Sequence, residues 1–203
     1  MQAFRIQRLC AAAREKGIDC LVASSPENIA YLTGGYTSIG QSVSASTQLY
    51  GVLSVETEQL TYVVSVAEVP NILEFAGLSA NICCYGGFHF DFDREEDAFT
   101  HRAREVCEKR FDTAEAALAA AVRRAGTAPG FDETHINFSV ARRIAGELGL
   151  SALTEAGGIF RQARRIKHPR EISALQESAR VAEEALLEAI EGARPGITRV
   201  SSS

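Results

Sequence analysis

The sequence predicts an α/β fold of three layers, with a mixed, mostly parallel sheet between two layers of helices. Three observations carry this expectation. Short apolar runs of strand length, such as IDCLVAS (18–24) and NICCYGG (81–87), alternate with segments of helical period. Two β-rich runs, QLYGVLSV (48–55) and LTYVVSV (60–66), flank only ETEQ, so they read as a hairpin whose antiparallel pair makes the sheet mixed. With 203 residues, 46% of them hydrophobic and 23% charged, the chain can bury a sizeable core.

Taken in order, residues 3–16 place Ile6, Leu9, Cys10 and Ala13 at helical spacing, and Gly17 ends that helix. The run 18–24 is a buried strand by its length. Ser25-Pro26-Glu27-Asn28 starts a helix: Ser25 can cap it, and Pro26 sits where a missing N–H costs nothing. Gly34-Gly35 closes it, and a polar loop rich in Ser and Gly (36–46) follows. After the hairpin, EVPNILEFAG (68–77) is helical up to Gly77, and 81–87 is a further strand.

Residues 88–110 are highly charged and read as an exposed loop leading into a helix. Asp112-Thr113-Ala114-Glu115 has the pattern of a capping box before an Ala-rich helix, 113–125. APGFDET (128–134) reads as a strand and its exit. INFSVARRIAGELG (136–149) is an amphipathic helix closed by Gly149, and 152–169 holds a strand, then a short helix or turn. From Pro169 a helix runs to about residue 193, with Ile172, Leu175, Ala179, Ala182, Leu186 and Ile190 on one stripe that needs a cover. A domain boundary is expected at 163/164: an α/β domain over 1–163, then a linker and helix over 164–203.

The formal charge of -5 argues against a nucleic-acid surface, which needs clustered Lys and Arg. No apolar run approaches the roughly 20 residues of a membrane span. The amino terminus, MQAFRIQRLCAAAREKG, is amphipathic rather than a signal peptide. Five cysteines, an odd number without a C-x-x-C, read as reduced thiols used as small apolar residues, and the chain as cytoplasmic. Adjacent Cys83 and Cys84 on a strand are expected to face opposite sides.

Chemistry-bearing constellations are few. His89, Asp91 and Asp93 alternate, so they either hold a divalent ion on one strand face or form a solvated edge with Phe88, Phe90 and Phe92 turned inward. The run Asp93, Glu95, Glu96 and Asp97 reads as a solvated face, because acid/base pairs need carboxylates in different environments. His101 and His135 have no Ser or Cys at a readable spacing. Gly34-Gly35 belongs to no phosphate-binding pattern, and no G-x-S-x-G occurs. The residues alone provide no self-sufficient catalytic constellation.

Two stretches go further: GIDCLVASSPENIAYLTGGYTS (17–38) and RRIKHPREISALQESARVAEEALLEAIEGARPGIT (164–198). In this order they resemble the amino-terminal domain of the creatinase/prolidase/aminopeptidase P family, the pita-bread hydrolases. The family has a Ser-Pro-x-Asn-like turn and a Tyr-Leu-(Thr/Ser)-Gly helix end. Later come Arg-x-Ile-Lys-(Ser/Thr)-Pro-x-Glu-Ile, a long helix and a Pro-Gly-(Ile/Val)-Thr turn. His168 stands where the family has Ser or Thr; as a poorer N-cap it is expected to weaken that helix start by up to about 1 kcal/mol.

The resemblance implies a ribonuclease H-like fold for this domain and a catalytic domain following the Pro-Gly-Ile-Thr turn. The ending ARPGITRVSSS is accordingly expected to belong to the first helix of a truncated catalytic domain. In peptidase members that domain supplies two Asp, one His and two Glu to two divalent ions (manganese, cobalt or zinc), which activate a water. Creatinase-type members use a histidine base on a C–N bond instead. The expected parent is a Xaa-Pro dipeptidase- or aminopeptidase-like homodimer acting on small peptides. A creatinase-like or other small-amide hydrolase, or a stand-alone binding module, are the alternatives. This chain alone is expected to be inactive, without catalytic or metal-binding residues. Tyr36, Ser38 and Gln41, on the loop after Leu32, are the expected substrate-proximal positions, offering neutral donors and an aromatic wall.

Overall fold

Six strands share one sheet in the computed structural model, which describes residues 1–37, 48–87 and 97–193. They are β1 (Cys20–Ala23), β2 (Tyr50–Ser54), β3 (Leu60–Ser65), β4 (Asn81–Tyr85), β5 (Pro129–Phe131) and β6 (Thr154–Glu155), in the order β4-β3-β2-β1-β5-β6. The β2–β3 hairpin is antiparallel, with Tyr50 opposite Val63, and its turn passes through Glu58 at φ 56°. β1 also runs antiparallel to β2, whereas β1–β5, β5–β6 and β3–β4 are parallel. The sheet is mixed and mostly parallel, as its sequence predicts.

The helices are α1 (Gln2–Arg14), α2 (Pro26–Thr33), α3 (Val69–Ala76), α4 (Ala98–Glu108), α5 (Ala114–Ala125), α6 (Phe138–Leu148), α7 (Gly157–Arg165) and α8 (Pro169–Gly192). Alternation along the strands divides the core in two. Leu21, Leu53, Val64 and Cys84 point to one face, where they meet Leu9, Ile29, Ile72, Val106 and Phe160 of the helices. Cys20, Val22, Val52 and Cys83 point to the other, against Leu118, Val122, Val140 and Ile144. Cys83 and Cys84 thus face opposite sides, and all five cysteines are buried and free.

Local chemistry sets the helix ends. Ser25 caps α2 by accepting from the Asn28 N–H, and Gly34 ends it at φ 91°, in the left-handed region that favours glycine. Asn137 caps α6, and Gly149 closes it at φ 69°. At α5 the capping-box expectation is corrected. Thr113, not Asp112, is the cap, accepting from the Ala116 N–H at 3.2 Å. Glu115 leaves the helix end to pair with Arg143 of α6 at 2.7 Å, an ion pair that locks two packed helices. A carboxylate offered a guanidinium at that distance gains more than from one further backbone N–H.

The described chain divides into two compact units, Met1–Arg165 and a second beginning at Ile166. The second is α8. Its cap is His168: Nδ1 accepts from the Arg170 N–H at 3.2 Å, while Glu171 accepts from the His168 N–H at 2.7 Å. The imidazole nitrogen thereby takes the place of the hydroxyl usual in this motif. No residue of α8 is buried, and Leu175, Leu186 and Ile190 are 56%, 61% and 60% exposed. Among the described residues, no helix is long and apolar enough to cross a membrane.

Candidate functional site

The polar centre of the first unit lies at the carboxyl ends of the parallel neighbours β1 and β5. A polar residue follows each strand, Ser24 after β1 and Asp132 after β5, and the Asp132 N–H continues the pairing by donating to the Val22 carbonyl at 2.8 Å. Asp132 is fully buried. Its Oδ2 accepts from the Ser25 hydroxyl (2.7 Å), the Ser25 N–H (2.8 Å) and the Ser24 N–H (3.2 Å), and Oδ1 accepts from the Thr134 N–H (3.3 Å). In return the Ser24 hydroxyl donates to the Asp132 carbonyl at 2.5 Å. Burial alone would raise this carboxyl, but hydrogen bonds from Ser25, Asn28 and Thr134 outweigh it and hold the pKa down at about 2. Asp132 is therefore a permanent anion at the start of α2, where the helix dipole favours negative charge. With its oxygens so engaged it acts as a clamp between β1, α2 and β5 rather than as a base for a substrate.

The second polar group lies at the foot of the loop that follows α2. The Tyr36 N–H donates to Thr33 Oγ1 at 3.0 Å, and the Thr33 hydroxyl donates to the Ile29 carbonyl at 2.8 Å. The Tyr36 ring meets Phe75 and Tyr62 edge-on, at centroid separations of 5.2 and 6.4 Å. Its hydroxyl donates to Glu68 Oε2 at 2.5 Å. Burial, and then the adjacent Glu68 carboxylate, push the phenol well above its ordinary range, so Tyr36 keeps its proton. Tyr36 is a buried anchor. Ser38 and Gln41, the other two expected substrate-proximal residues, lie outside the described residues, as do His89, Asp91 and Asp93. Tyr36→Phe, which keeps the ring and removes the donor, is expected to cost about 1–2 kcal/mol in urea unfolding.

A cavity of about 460 Å³ lies beside the edge strand β6, walled by Phe131, Ile136, Phe138, Ala145 and Leu153. Another, of about 380 Å³, shares Tyr62 and Phe75 with the Tyr36 contacts and carries the amides of Gln2 and Asn81. A third, of about 320 Å³, is lined by Arg102, Lys109, Arg124 and Cys83. Its cations are already engaged: Arg102 and Lys109 by Glu105, Arg124 by the Ala120 carbonyl and the Cys83 sulfur. His101 and His135 are exposed, and Asp97, the end of the acidic run, caps α4 by accepting from the Thr100 N–H at 2.7 Å. Among the described residues no group of three or more His, Cys, Asp or Glu side chains is placed to hold a metal ion.

Sequence reasoning found Ser25 as a cap but missed its partner. Asp132 was legible only as part of a strand exit; the available signal was a carboxylate placed directly after an apolar strand. Glu68 and the Glu115–Arg143 pair gave no signal by spacing.

Residues 5–166 match the family model described as the creatinase/prolidase N-terminal domain. Among solved structures, a Xaa-Pro dipeptidase from Bacillus anthracis matches with a TM-score of 0.67 and 17% identity, over 98% of this chain and 46% of that one. The prolidase from Pyrococcus horikoshii OT3 matches with a TM-score of 0.61 and 14% identity, over 95% and 44%. The N-terminal domain of a Xaa-Pro dipeptidase from Lactobacillus brevis matches with a TM-score of 0.51 and 14% identity, over 77% of this chain and 98% of that domain. At these identities the likeness is one of fold. The chain spans less than half the length of the first two structures. No curated protein matches it in sequence.

Proposed function

The chain belongs to the creatinase/prolidase N-terminal domain family, and from that premise we propose that it is the non-catalytic, amino-terminal part of a pita-bread hydrolase of the Xaa-Pro dipeptidase or aminopeptidase type. The observation that carries this reading is one of extent. The chain matches along 98% of its length while covering 46% of a Xaa-Pro dipeptidase, and it matches nearly the whole of a separately solved dipeptidase N-terminal domain. Fold and family support an amino-terminal module; substrate and activity are carried over from these relatives.

In this reading residues 1–163 are the module, and 164–203 are a linker and the first helix of a catalytic domain. The module builds a cytoplasmic homodimer and limits substrate size. The loop that starts at Tyr36 and carries Ser38 and Gln41 offers neutral donors to a small peptide, and the Tyr36–Glu68 bond fixes its base. The described side chains do not form a site for the family's divalent ions, so no step through a metal is assigned to them.

The test is an assay of Xaa-Pro dipeptide hydrolysis with and without manganese. This chain is expected to match a buffer blank, and the same chain continued through a domain bearing the two Asp, one His and two Glu is expected to cleave. Turnover by this chain alone would overturn the non-catalytic assignment. A continued protein that cleaves another small amide but no Xaa-Pro bond would overturn the substrate class.

A further inference from the structure

Two of the five buried thiols lie on neighbouring elements of one core face. Cys84 points from β4 into the core face covered by α4, and Cys107 lies in the last turn of α4 on that same face. The Cys84 thiol donates to the Val106 carbonyl at 3.3 Å, which sets it beside the residue, one peptide on, that bears the Cys107 thiol. The backbone holds strand and helix exit together: the Phe111 N–H donates to the Cys84 carbonyl and the Gly86 N–H to the Phe111 carbonyl, both at 2.9 Å. The other thiols are differently placed. Cys83 and Cys20 face the opposite core, and Cys83 accepts from Arg124 Nη2 at 3.3 Å. Cys10 sits on α1.

We propose that Cys84 and Cys107 form a redox modification site, a dithiol that a small hydroperoxide converts to a disulfide tying β4 to α4. Cys107 is the attacking sulfur. The adjacent Cys84 thiol draws the Cys107 thiol below the ordinary range, against burial, and the nearby Arg110 charge adds to this, whereas the closeness of Cys107 and burial push Cys84 up. The Cys107 thiolate attacks the terminal peroxide oxygen. The O–O bond breaks, the leaving oxygen takes a proton and departs as an alcohol or water, and Cys107 becomes a sulfenic acid. Cys84 then gives up its proton and attacks that sulfur; the S–S bond forms, the S–O bond breaks, and hydroxide leaves with the proton as water. In sum, two thiols and one hydroperoxide give a disulfide, an alcohol (or water) and a water. Cys107 is 8% exposed and Cys84 2%, which selects a water-sized oxidant over a bulky disulfide.

The experiment treats the intact chain with hydrogen peroxide, alkylates it under denaturing conditions and maps its peptides without reduction. One cross-linked pair joining Cys84 to Cys107 is expected, with Cys10, Cys20 and Cys83 alkylated. The melting temperature is expected to rise by about 5–10 °C, because a loop of the unfolded chain is closed, and to fall back with dithiothreitol. Cys83→Ser is expected to keep the cross-link and Cys107→Ser to leave Cys84 alkylatable. Alkylation of both Cys84 and Cys107 after peroxide, a cross-link through Cys83, or a sulfinic acid at Cys107 beside a free Cys84 would overturn the proposal. These outcomes are read on the unsubstituted chain, so they stand even if a variant fails to fold.

Discussion

Asp132→Ala is expected to destabilise the fold by about 3–5 kcal/mol in urea unfolding. Removing the carboxylate strands the Ser24 and Ser25 N–H groups and the Ser25 hydroxyl in a site closed to water. Asp132→Asn keeps the shape but turns an amide toward donors, so an intermediate loss of about 1–3 kcal/mol is expected. The same residue sets an acid limb. Its pKa falls from an ordinary 3.8 to about 2 on folding, so its contribution is fully present above pH 4 and is lost as pH falls toward 2. That shift corresponds to about 2 kcal/mol. Stability measured from pH 5 down to 2 should therefore show a slope that Asp132→Asn flattens; equal slopes in both proteins would remove Asp132 from the explanation.

Gly130→Val is expected to cost about 3 kcal/mol or more, two residues away on the same short segment. A Cβ at this position would lie 2.7 Å from Ile18 Cδ1 and 2.8 Å from the Ala156 Cβ. Ile18 can rotate, but the Ala156 Cβ moves only with its backbone, and the Ala156 N–H is bonded to the Phe131 carbonyl at 2.7 Å. Relief would pull β6 off β5. Gly130→Ala should lose less, because alanine adds the same clash without the branch. A Gly130→Val protein that melts with the parent would show that this packing is looser than described.

Much of this architecture was legible because it is local. The hairpin around ETEQ, the Ser25 cap, the Gly34 and Gly149 stops and the opposite facing of Cys83 and Cys84 all follow from neighbours a few residues apart. What escaped was non-local. Nothing near Asp132 says that its partners are Ser24 and Ser25, and nothing near Glu115 says that Arg143 outcompetes the helix end. Strand order was hidden for the same reason, since β1 chooses β2 and β5 through pairing that no window spans. β6 was legible as a strand but not in its length: two residues suffice once Phe131 holds Ala156. Tyr36 was singled out as an aromatic wall on a polar loop, and its ring lies among Tyr62 and Phe75 because aromatic burial outweighs a polar sequence context.

The parallel pairing of β1 with β5 has a consequence for synthesis. β1, β2, β3 and β4 all lie within the first 85 residues, so they can zip together as soon as these have emerged. The other side of β1 finds its partner only when residue 131 appears. At ribosomal speeds that interval is about 2–10 seconds, during which a central strand presents a bare hydrogen-bonding rim to every other nascent chain nearby. A holding chaperone has its clearest reason to engage this polypeptide in that window.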